Sequence, residues 1–121
     1  MILTIKKQWF DMIASGVKRE EYRDIKPYYT SRFMSIGLLD KTARPTNSGV
    51  WIMFRNGYSR SSPTFKALCT LDIKQGNTAW GAEPDTTYYV LKIEELENYS
   101  KEHENVYEYK GFYVKRTTWK L

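Results

Sequence analysis

The residues from Thr64 to Lys74, Thr-Phe-Lys-Ala-Leu-Cys-Thr-Leu-Asp-Ile-Lys, decide the fold class of this 121-residue chain. Apolar and polar side chains alternate along the stretch, and only Leu68 breaks the alternation. Because the side chains of a strand point in turn to the two sides of a sheet, this pattern predicts a β-strand with one face in the core. Cys69 falls on the apolar side, so we expect it to be a small core residue.

Further strands are predicted on both sides of this one. The apolar run Val-Trp-Ile-Met-Phe begins at Val50 and indicates a strand over 50–55 that is buried on both faces. The remaining predicted strands are 2–6, 17–25 and 86–93, with a hairpin over 107–114 that turns at Lys110-Gly111. We expect loops over 42–49, 56–63 and 75–85, and a loop or marginal helix over the acidic stretch 94–104.

Two short helices are predicted near the N-terminus. The first covers 7–15, where Trp9 and Ile13 share a face and Gly16 follows as the C-cap. Pro27 opens the second. Strands do not alternate regularly with helices, so a doubly wound parallel sheet is disfavoured. We predict a single α+β domain over 1–121, a small β-barrel of about six strands flanked by short N-terminal helices.

Composition excludes several classes of protein. With one cysteine the chain cannot form an internal disulfide, and with one histidine besides it cannot form the usual Cys/His zinc site. No apolar run approaches the ~20 residues of a membrane-spanning helix, and Lys6 and Lys7 follow the first apolar residues, the reverse of a signal peptide. We expect a cytoplasmic protein without metal or cofactor. No dinucleotide-binding, P-loop or nucleophile-elbow motif is present.

Positive charge is concentrated in the first half of the chain. Residues 1–66 hold 12 basic and 5 acidic side chains, a balance of +7, whereas residues 67–121 hold 7 basic and 9 acidic ones. Concentrated positive charge attracts polyanions, and phosphate backbones are the commonest of these in a cell. A solvated surface with a modest lysine excess is the alternative interpretation.

One charged cluster stands out, Gly16-Val17-Lys18-Arg19-Glu20-Glu21-Tyr22-Arg23. On a regular strand, Glu21 and Arg23 point to the same face as Val17 and Ile25, which sends an ion pair inward beside apolar groups. Buried charges persist only when they are paired and hydrogen-bonded. The pair is therefore a structural lock or the floor of a ligand cleft, unless the strand lies on a solvated sheet surface.

The spacing Gly16-x-Lys18-x-x-Glu21-x-Arg23 resembles the G-x-K-x-x-E-x-R signature of the ASCH domain family, a branch of the PUA-like superfamily. Three other places are similar to the family's layout and follow in the same order: Lys26-Pro27-Tyr28 with Arg32, the apolar strand 50–57 running into Tyr58, and Trp80-Gly81-Ala82. The resemblance covers residues 1 to about 95.

This resemblance implies a compact β-barrel with a cleft lined by the motif residues. Members of the family are thought to bind RNA or modified nucleosides, and some are hydrolases. One branch resembles an amidase that removes acetyl groups from acetylated cytidine, where a motif Lys works with a Thr three residues later. Here Lys18 is present and the later position is Glu21, which could act as a general base on water, so these two are the candidate catalytic residues.

Binding chemistry adds basic and aromatic side chains to the candidate site. Cations can contact phosphates, and aromatic rings offer faces on which unstacked bases lie, worth about 1–3 kcal/mol per base. The candidate nucleic-acid-binding residues are Lys18, Arg19, Tyr22, Arg23, Lys26, Tyr28, Arg55, Tyr58, Arg60 and Trp80. Trp9 and Trp51 lie in apolar phase and are expected in the core.

Three functions follow as alternatives. The first is a module that captures single-stranded RNA or a nucleotide, with RNA or nucleotide as its partner. The second is a hydrolase that uses the same cleft on an acylated nucleoside or on RNA. The third is a protein-interaction domain in which the Glu21–Arg23 pair is only structural. No feature of the sequence specifies an oligomeric state.

Overall fold

The computed structural model describes residues 1–59 and 61–97, together with the backbone of the strands Val106–Tyr109 and Phe112–Arg116. In chain order the elements are β1 (Ile2–Ile5), α1 (Lys7–Ala14), β2 (Glu20–Arg23), α2 (Pro27–Ser35), β3 (Val50–Asn56), β4 (Pro63–Gln75), a short 3-10 turn (Thr78–Trp80), β5 (Thr87–Glu97), β6 (Val106–Tyr109) and β7 (Phe112–Arg116). The α+β class and the two short N-terminal helices are confirmed.

The strands form one sheet whose main path runs β1-β3-β4-β5-β2. Neighbours are antiparallel except β1 and β3, which run parallel. The long strand β4, predicted from its alternation, pairs with β3 on one side and β5 on the other. The hairpin β6–β7 joins through two residue pairs between β7 and the start of β4. Among the described residues the sheet has seven strands where about six were predicted, and five of them form its continuous path.

Those five strands curl into a half-barrel. The two strands at the ends of the path, β1 and β2, are brought near each other, because Arg23 Nη2 on β2 donates a hydrogen bond to the Thr4 carbonyl on β1 at 3.3 Å. No backbone ladder is recorded between these two strands, so the sheet is left open along one side. We call this opening between β1 and β2 the seam.

The main core joins one face of the sheet to both helices. Its buried apolar side chains are Leu3, Ile5, Phe10, Ile13, Ala14, Phe33, Leu38, Leu39, Ile52, Phe54, Phe65, Ala67, Cys69, Leu71, Tyr89, Leu91 and Ile93. A smaller cluster of Tyr22, Ala82, Tyr88 and Val90 lies on the other face of β2 and β5. Strand β5 is buried on both faces for this reason, which accounts for its unbroken apolar run over 88–91.

Strand β3 differs from its prediction. Ile52 and Phe54 are buried, but Trp51, which was predicted to be core, is 43% exposed. The pairing register with β4 sets Ile52 opposite Ala67 and Phe54 opposite Phe65, so the residues between them point to the outer face. An apolar run does not by itself show which alternate residues of a strand face the core. In β3 only the set that includes Ile52 and Phe54 does.

The predicted strand over 17–25 is also shorter than expected, because only Glu20–Arg23 pair with β5. Gly16 adopts a positive φ of 82° at the end of α1, and the backbone N–H groups of Val17 and Lys18 both donate to the Met12 carbonyl. These bonds hold residues 17 and 18 against the helix end rather than in the sheet. As a result Val17 is exposed and does not share the inward face of Glu21.

Two predictions near the C-terminal end have different outcomes. Residues 94–97 were predicted as loop or helix but continue β5, because β4 is long enough to offer partners such as Lys66 for Glu97. The register shifts between Leu68 and Cys69, next to the residue that interrupts the alternation. The antiparallel hairpin is confirmed in β6 and β7, and its predicted turn, Lys110-Gly111, lies outside the described residues, as do 98–105.

None of the helices within 1–59 and 61–97 has the length and apolar content needed to cross a membrane. The cysteine prediction is confirmed, since Cys69 is fully buried in the main core. Burial, more than the nearby Glu94 and Glu21 carboxylates, raises the pKa of its thiol from 9.0 to about 12.

We predict that Cys69 weakens the fold at alkaline pH. The unfolded thiol ionises above about pH 9, whereas the folded one keeps its proton, so its contribution is fully present below pH 9 and is lost as the pH rises toward 12. Between pH 8 and pH 10.5 the wild type should lose about 2 kcal/mol more unfolding free energy than Cys69→Ala, by the equivalence of pKa and energy. Urea denaturation at both pH values measures this, and parallel pH profiles would contradict it.

Candidate functional site

The seam opens into a cleft with a volume of about 520 Å³. Four short segments and one helical side chain line it: Thr4–Lys7 at the β1–α1 junction, Glu21–Arg23 on β2, Asn56–Tyr58 after β3, Trp80-Gly81 after the 3-10 turn, and Trp9 on α1. The two edge strands face each other here without pairing, so side chains rather than a backbone ladder fill the space. A cleft of this size suits a ligand as large as a nucleoside.

The floor of the cleft carries a buried ion cluster. Glu21 is 5% exposed, and its two carboxylate oxygens contact different cations: Lys18 Nζ lies 3.3 Å from Oε1, and Arg23 Nη2 lies 3.2 Å from Oε2. The inward Glu21–Arg23 ion pair expected from the alternation of β2 is therefore formed. With two cations around one carboxylate, the cluster satisfies the requirement that buried charges be paired.

Lys18 lies behind Glu21 and is sealed from solvent. Its ammonium donates to the Trp80 carbonyl and lies 5.0 Å from the Trp9 ring centre and 4.8 Å from that of Tyr22. Burial lowers the pKa of Lys18 below its ordinary value, and the neighbouring Glu21 carboxylate opposes that shift. The Gly16 cap makes this position possible, because it directs residue 18 off the helix end into the space under β2.

The segment with Trp80 is held close to both α1 and β2. Asn77 caps the 3-10 turn by accepting from the Ala79 N–H, and its own N–H donates to the Tyr22 hydroxyl at 2.8 Å. Gly81 has a φ of 103°, and a Cβ added there would lie 2.9 Å from the Trp9 ring. Only glycine allows the chain to pass so close to that ring.

The rim of the cleft combines cations with aromatic rings. Lys6 and Lys7 lie at the β1–α1 junction, and Arg23 lies on the opposite edge strand. Tyr58 is 87% exposed, whereas Trp80 is half-buried. The Glu21 carboxylate thus lies on the floor of the cleft, and cations and aromatic rings lie at its mouth.

The structure brings five of the predicted site residues to the cleft: Glu21, Tyr22, Arg23, Tyr58 and Trp80. Of these, Glu21 was predicted as catalytic. Tyr22 is buried, and its hydroxyl donates to Glu20 while accepting from Asn77, so it is a wall rather than an open stacking face.

The other predicted residues lie elsewhere. Lys18 is beneath the floor, and Arg19 borders a separate cavity of about 170 Å³ beside residues 93–96. Lys26 forms an exposed ion pair with Asp24 at 3.2 Å. Arg55 lies on β3 opposite Thr4 and Thr64 and does not line the cleft. Tyr28 lines a smaller cavity beside it, and Arg60 lies outside the described residues.

Sequence reasoning missed Lys6, Lys7 and Trp9 as cleft residues. The two lysines lie at a predicted strand–helix junction. Two adjacent cations at such a junction could have been recognised from the sequence as candidate binding residues. Trp9 was predicted to be core from its helical spacing to Ile13, yet it is only half-buried. Its ring covers the Lys18 ammonium, a contact that depends on tertiary structure.

Comparison of the chain with family models, with curated proteins and with solved structures yields no match. In the part of the chain that the structure describes, no three His, Cys, Asp or Glu side chains come together as metal ligands do.

We predict that Glu21 is the central residue of the buried cluster. Glu21→Gln removes the charge at nearly constant volume and leaves Lys18 buried, and Arg23 partly buried, without a counter-ion. The unfolding free energy should therefore fall by about 3 kcal/mol at pH 7. Lys26→Met, which breaks an exposed pair, is the control and should leave stability within error. Urea denaturation of both variants measures the difference.

The loss in Glu21→Gln should also shrink with rising pH. Without the carboxylate, the pKa of Lys18 falls further below 10.5, so the unfolded chain binds a proton that the folded chain does not. Relative to the wild type, the stability of the variant then rises with pH until the folded wild type also loses the Lys18 proton, which happens below pH 10.5. An equal loss at pH 7 and pH 9.5 would contradict a buried charge on Lys18.

Proposed function

We propose that the protein binds single-stranded RNA, or a nucleotide within it, in the seam cleft. The observation that carries this proposal is the pairing of stacking surfaces with cations around one opening: Tyr58 and Trp80 line the same cleft as Lys6 and Arg23. Unstacked bases need aromatic faces and phosphates need cations, and a cleft that offers both suits a single strand better than a duplex.

The buried floor indicates which part of a nucleotide enters the cleft. An ionised carboxylate accepts hydrogen bonds and repels phosphate. Glu21 therefore favours base N–H or amino groups, or ribose hydroxyls, while phosphates are held at the rim by Arg23 and the lysines. We propose that a base is inserted toward Glu21 with its phosphates at the mouth.

We further propose that the chain is an ASCH domain with a PUA-like barrel. Two observations support this assignment. The three charged residues of the signature, Lys18, Glu21 and Arg23, form one connected ion cluster rather than three separate contacts. The sheet also curls as a barrel-like fold requires. A cytoplasmic location is proposed with it, in keeping with the single, buried thiol of Cys69.

We expect labelled single-stranded RNA to bind in fluorescence anisotropy titrations at low salt and to weaken steeply as salt is added. Tyr58→Ala should cost about 10-fold in affinity through lost stacking. Lys6→Gln should weaken binding and reduce the slope of log affinity against log salt by about 1. Both side chains are exposed, so neither change should alter stability.

Lys41→Gln is the matched control, since this lysine is exposed in the loop after α2 and lines none of the described cavities near the seam. It should leave affinity and salt slope nearly unchanged. Absence of RNA binding at low salt, or equal losses in Lys6→Gln and Lys41→Gln, would contradict binding in the seam cleft.

A second candidate is hydrolysis of an acylated nucleoside in the same cleft. The observation that favours it is the position of Glu21, which reaches the cleft with the Lys18 ammonium 3.3 Å behind it. A carboxylate so held is a candidate general base for a water that attacks a carbonyl. Lys18 would act as a positioning group, because it has no opening to the cleft.

Release of acetate from N4-acetylcytidine tests this candidate. If the protein is an amidohydrolase, turnover should fall at least about 100-fold in Glu21→Gln, the usual size of a general-base contribution. Lys41→Gln should keep full activity. Because Glu21→Gln also lowers stability, turnover is measured at a temperature where circular dichroism shows the variant folded. Equal turnover in wild type and Glu21→Gln would exclude Glu21 as the base.

A further inference from the structure

A second cavity of about 220 Å³ adjoins the seam cleft on the side of α2. Its walls come from β1, from Arg23, and from three side chains of α2, Tyr28, Tyr29 and Arg32. Thr4, Arg23 and Tyr58 line both cavities, so the two spaces meet at these residues. We call the second space the arginine subsite.

The arginine subsite differs from the cleft in charge. None of the described residues that line it is acidic, and two of them are arginines. By contrast the cleft has Glu21 on its floor. Arg23 forms an ion pair with Glu21, but no acidic residue is among the described walls of the subsite. A ligand group bound in the subsite is therefore expected to be anionic.

Both guanidinium groups lie against aromatic rings, and that of Arg23 is also held by the Glu21 carboxylate and by the Thr4 carbonyl. The Arg32 guanidinium carbon lies 4.3 Å from the Tyr28 ring centre, and that of Arg23 lies 5.8 Å from the ring centre of Tyr29. Ring contacts fix the plane of a guanidinium and leave its N–H donors available at the edge. Arg23 Nε is buried and has no hydrogen-bond partner among the described residues.

The Arg32 guanidinium thus combines a fixed orientation with unused donors, and Arg23 adds its unpartnered Nε. Arginine presents its N–H groups in a fork that matches phosphate oxygens, and charge-assisted bonds of this kind are stronger than neutral ones. Beside them, Tyr28 and Tyr58 are both largely exposed and offer ring faces next to the phosphate position. Hydrogen-bond donors for a phosphate, flanked by exposed aromatic rings, are what the sugar–phosphate link to a neighbouring nucleotide requires, although Arg32 lies over one face of the Tyr28 ring.

We propose that the arginine subsite binds the phosphate and base of a second nucleotide, so that the ligand of this protein is at least a dinucleotide unit of a single strand. The proposal rests on the proposed function. The first base enters the cleft toward Glu21, the phosphodiester crosses between the two cavities at Arg23, and Arg32 holds the phosphate from the α2 side. The second base stacks on Tyr28.

Isothermal titration of the full chain tests this with four nucleosides, their 3′-monophosphates, and the dinucleotides ApA, CpC, GpG and UpU. For the base that binds best, the dinucleotide should bind at least about 10-fold more tightly than the nucleoside, the contribution of one charge-assisted phosphate contact. Arg32→Gln should remove about 10-fold from dinucleotide affinity and leave nucleoside affinity unchanged. Tyr28→Ala should weaken the dinucleotide more than the 3′-monophosphate, because it removes the stacking face for the second base as well as the ring that orients Arg32.

Arg44→Gln is the matched control, because this arginine is exposed and lines neither cavity. It should bind all ligands as the wild type does. A dinucleotide bound no more tightly than its nucleoside, with Arg32→Gln silent, would overturn the second subsite while cleft binding stands. A 3′-monophosphate bound as tightly as the dinucleotide would overturn the claim of a second base. No binding of any nucleoside, dinucleotide or longer RNA would instead overturn the proposed function itself.

Discussion

The buried contact of Glu21 with Lys18 and Arg23 is the interaction on which the rest of the site depends. Each cation reaches a different part of the fold: Lys18 bonds to the carbonyl of Trp80, and Arg23 bonds to the carbonyl of Thr4 on the far edge strand. One carboxylate therefore ties β2 to β1 and to the loop before β5. A buried charge left without its partners is costly, so the geometry of the cluster is strongly constrained.

This constraint explains how a small chain keeps a cleft open. A closed barrel would pair β1 with β2 and fill the gap with a backbone ladder. Here side-chain bonds span the gap instead, and the edge strands stay separated enough for the cleft. The ion cluster thus acts both as a lock for the half-barrel and as the floor of the site.

Sequence patterns within a few residues predicted much of the fold. The features that depend on contacts between distant segments could not be predicted in this way. The alternation over 64–74, the glycine after α1 and the proline that begins α2 each act within a few residues, and all three predictions are confirmed. By contrast, Trp51 and Trp9 were wrongly predicted to be core residues. The register of β3 with β4 places Trp51 on the outer face, and the ring of Trp9 covers the Lys18 ammonium. The second cavity and the full lining of the cleft likewise come from chain segments far apart in sequence.

We propose that the seam cleft receives a base of single-stranded RNA. Titration of the ¹⁵N-labelled protein with a short single-stranded RNA, followed by the indole and backbone N–H signals, tests it most directly. The account predicts shifts for the indoles of Trp9 and Trp80 and for the amides of Gly57 and Gly81, with the Trp51 indole unchanged. Shifts confined to Trp51 on the outer face of β3, or no shifts at any of these positions, would contradict it.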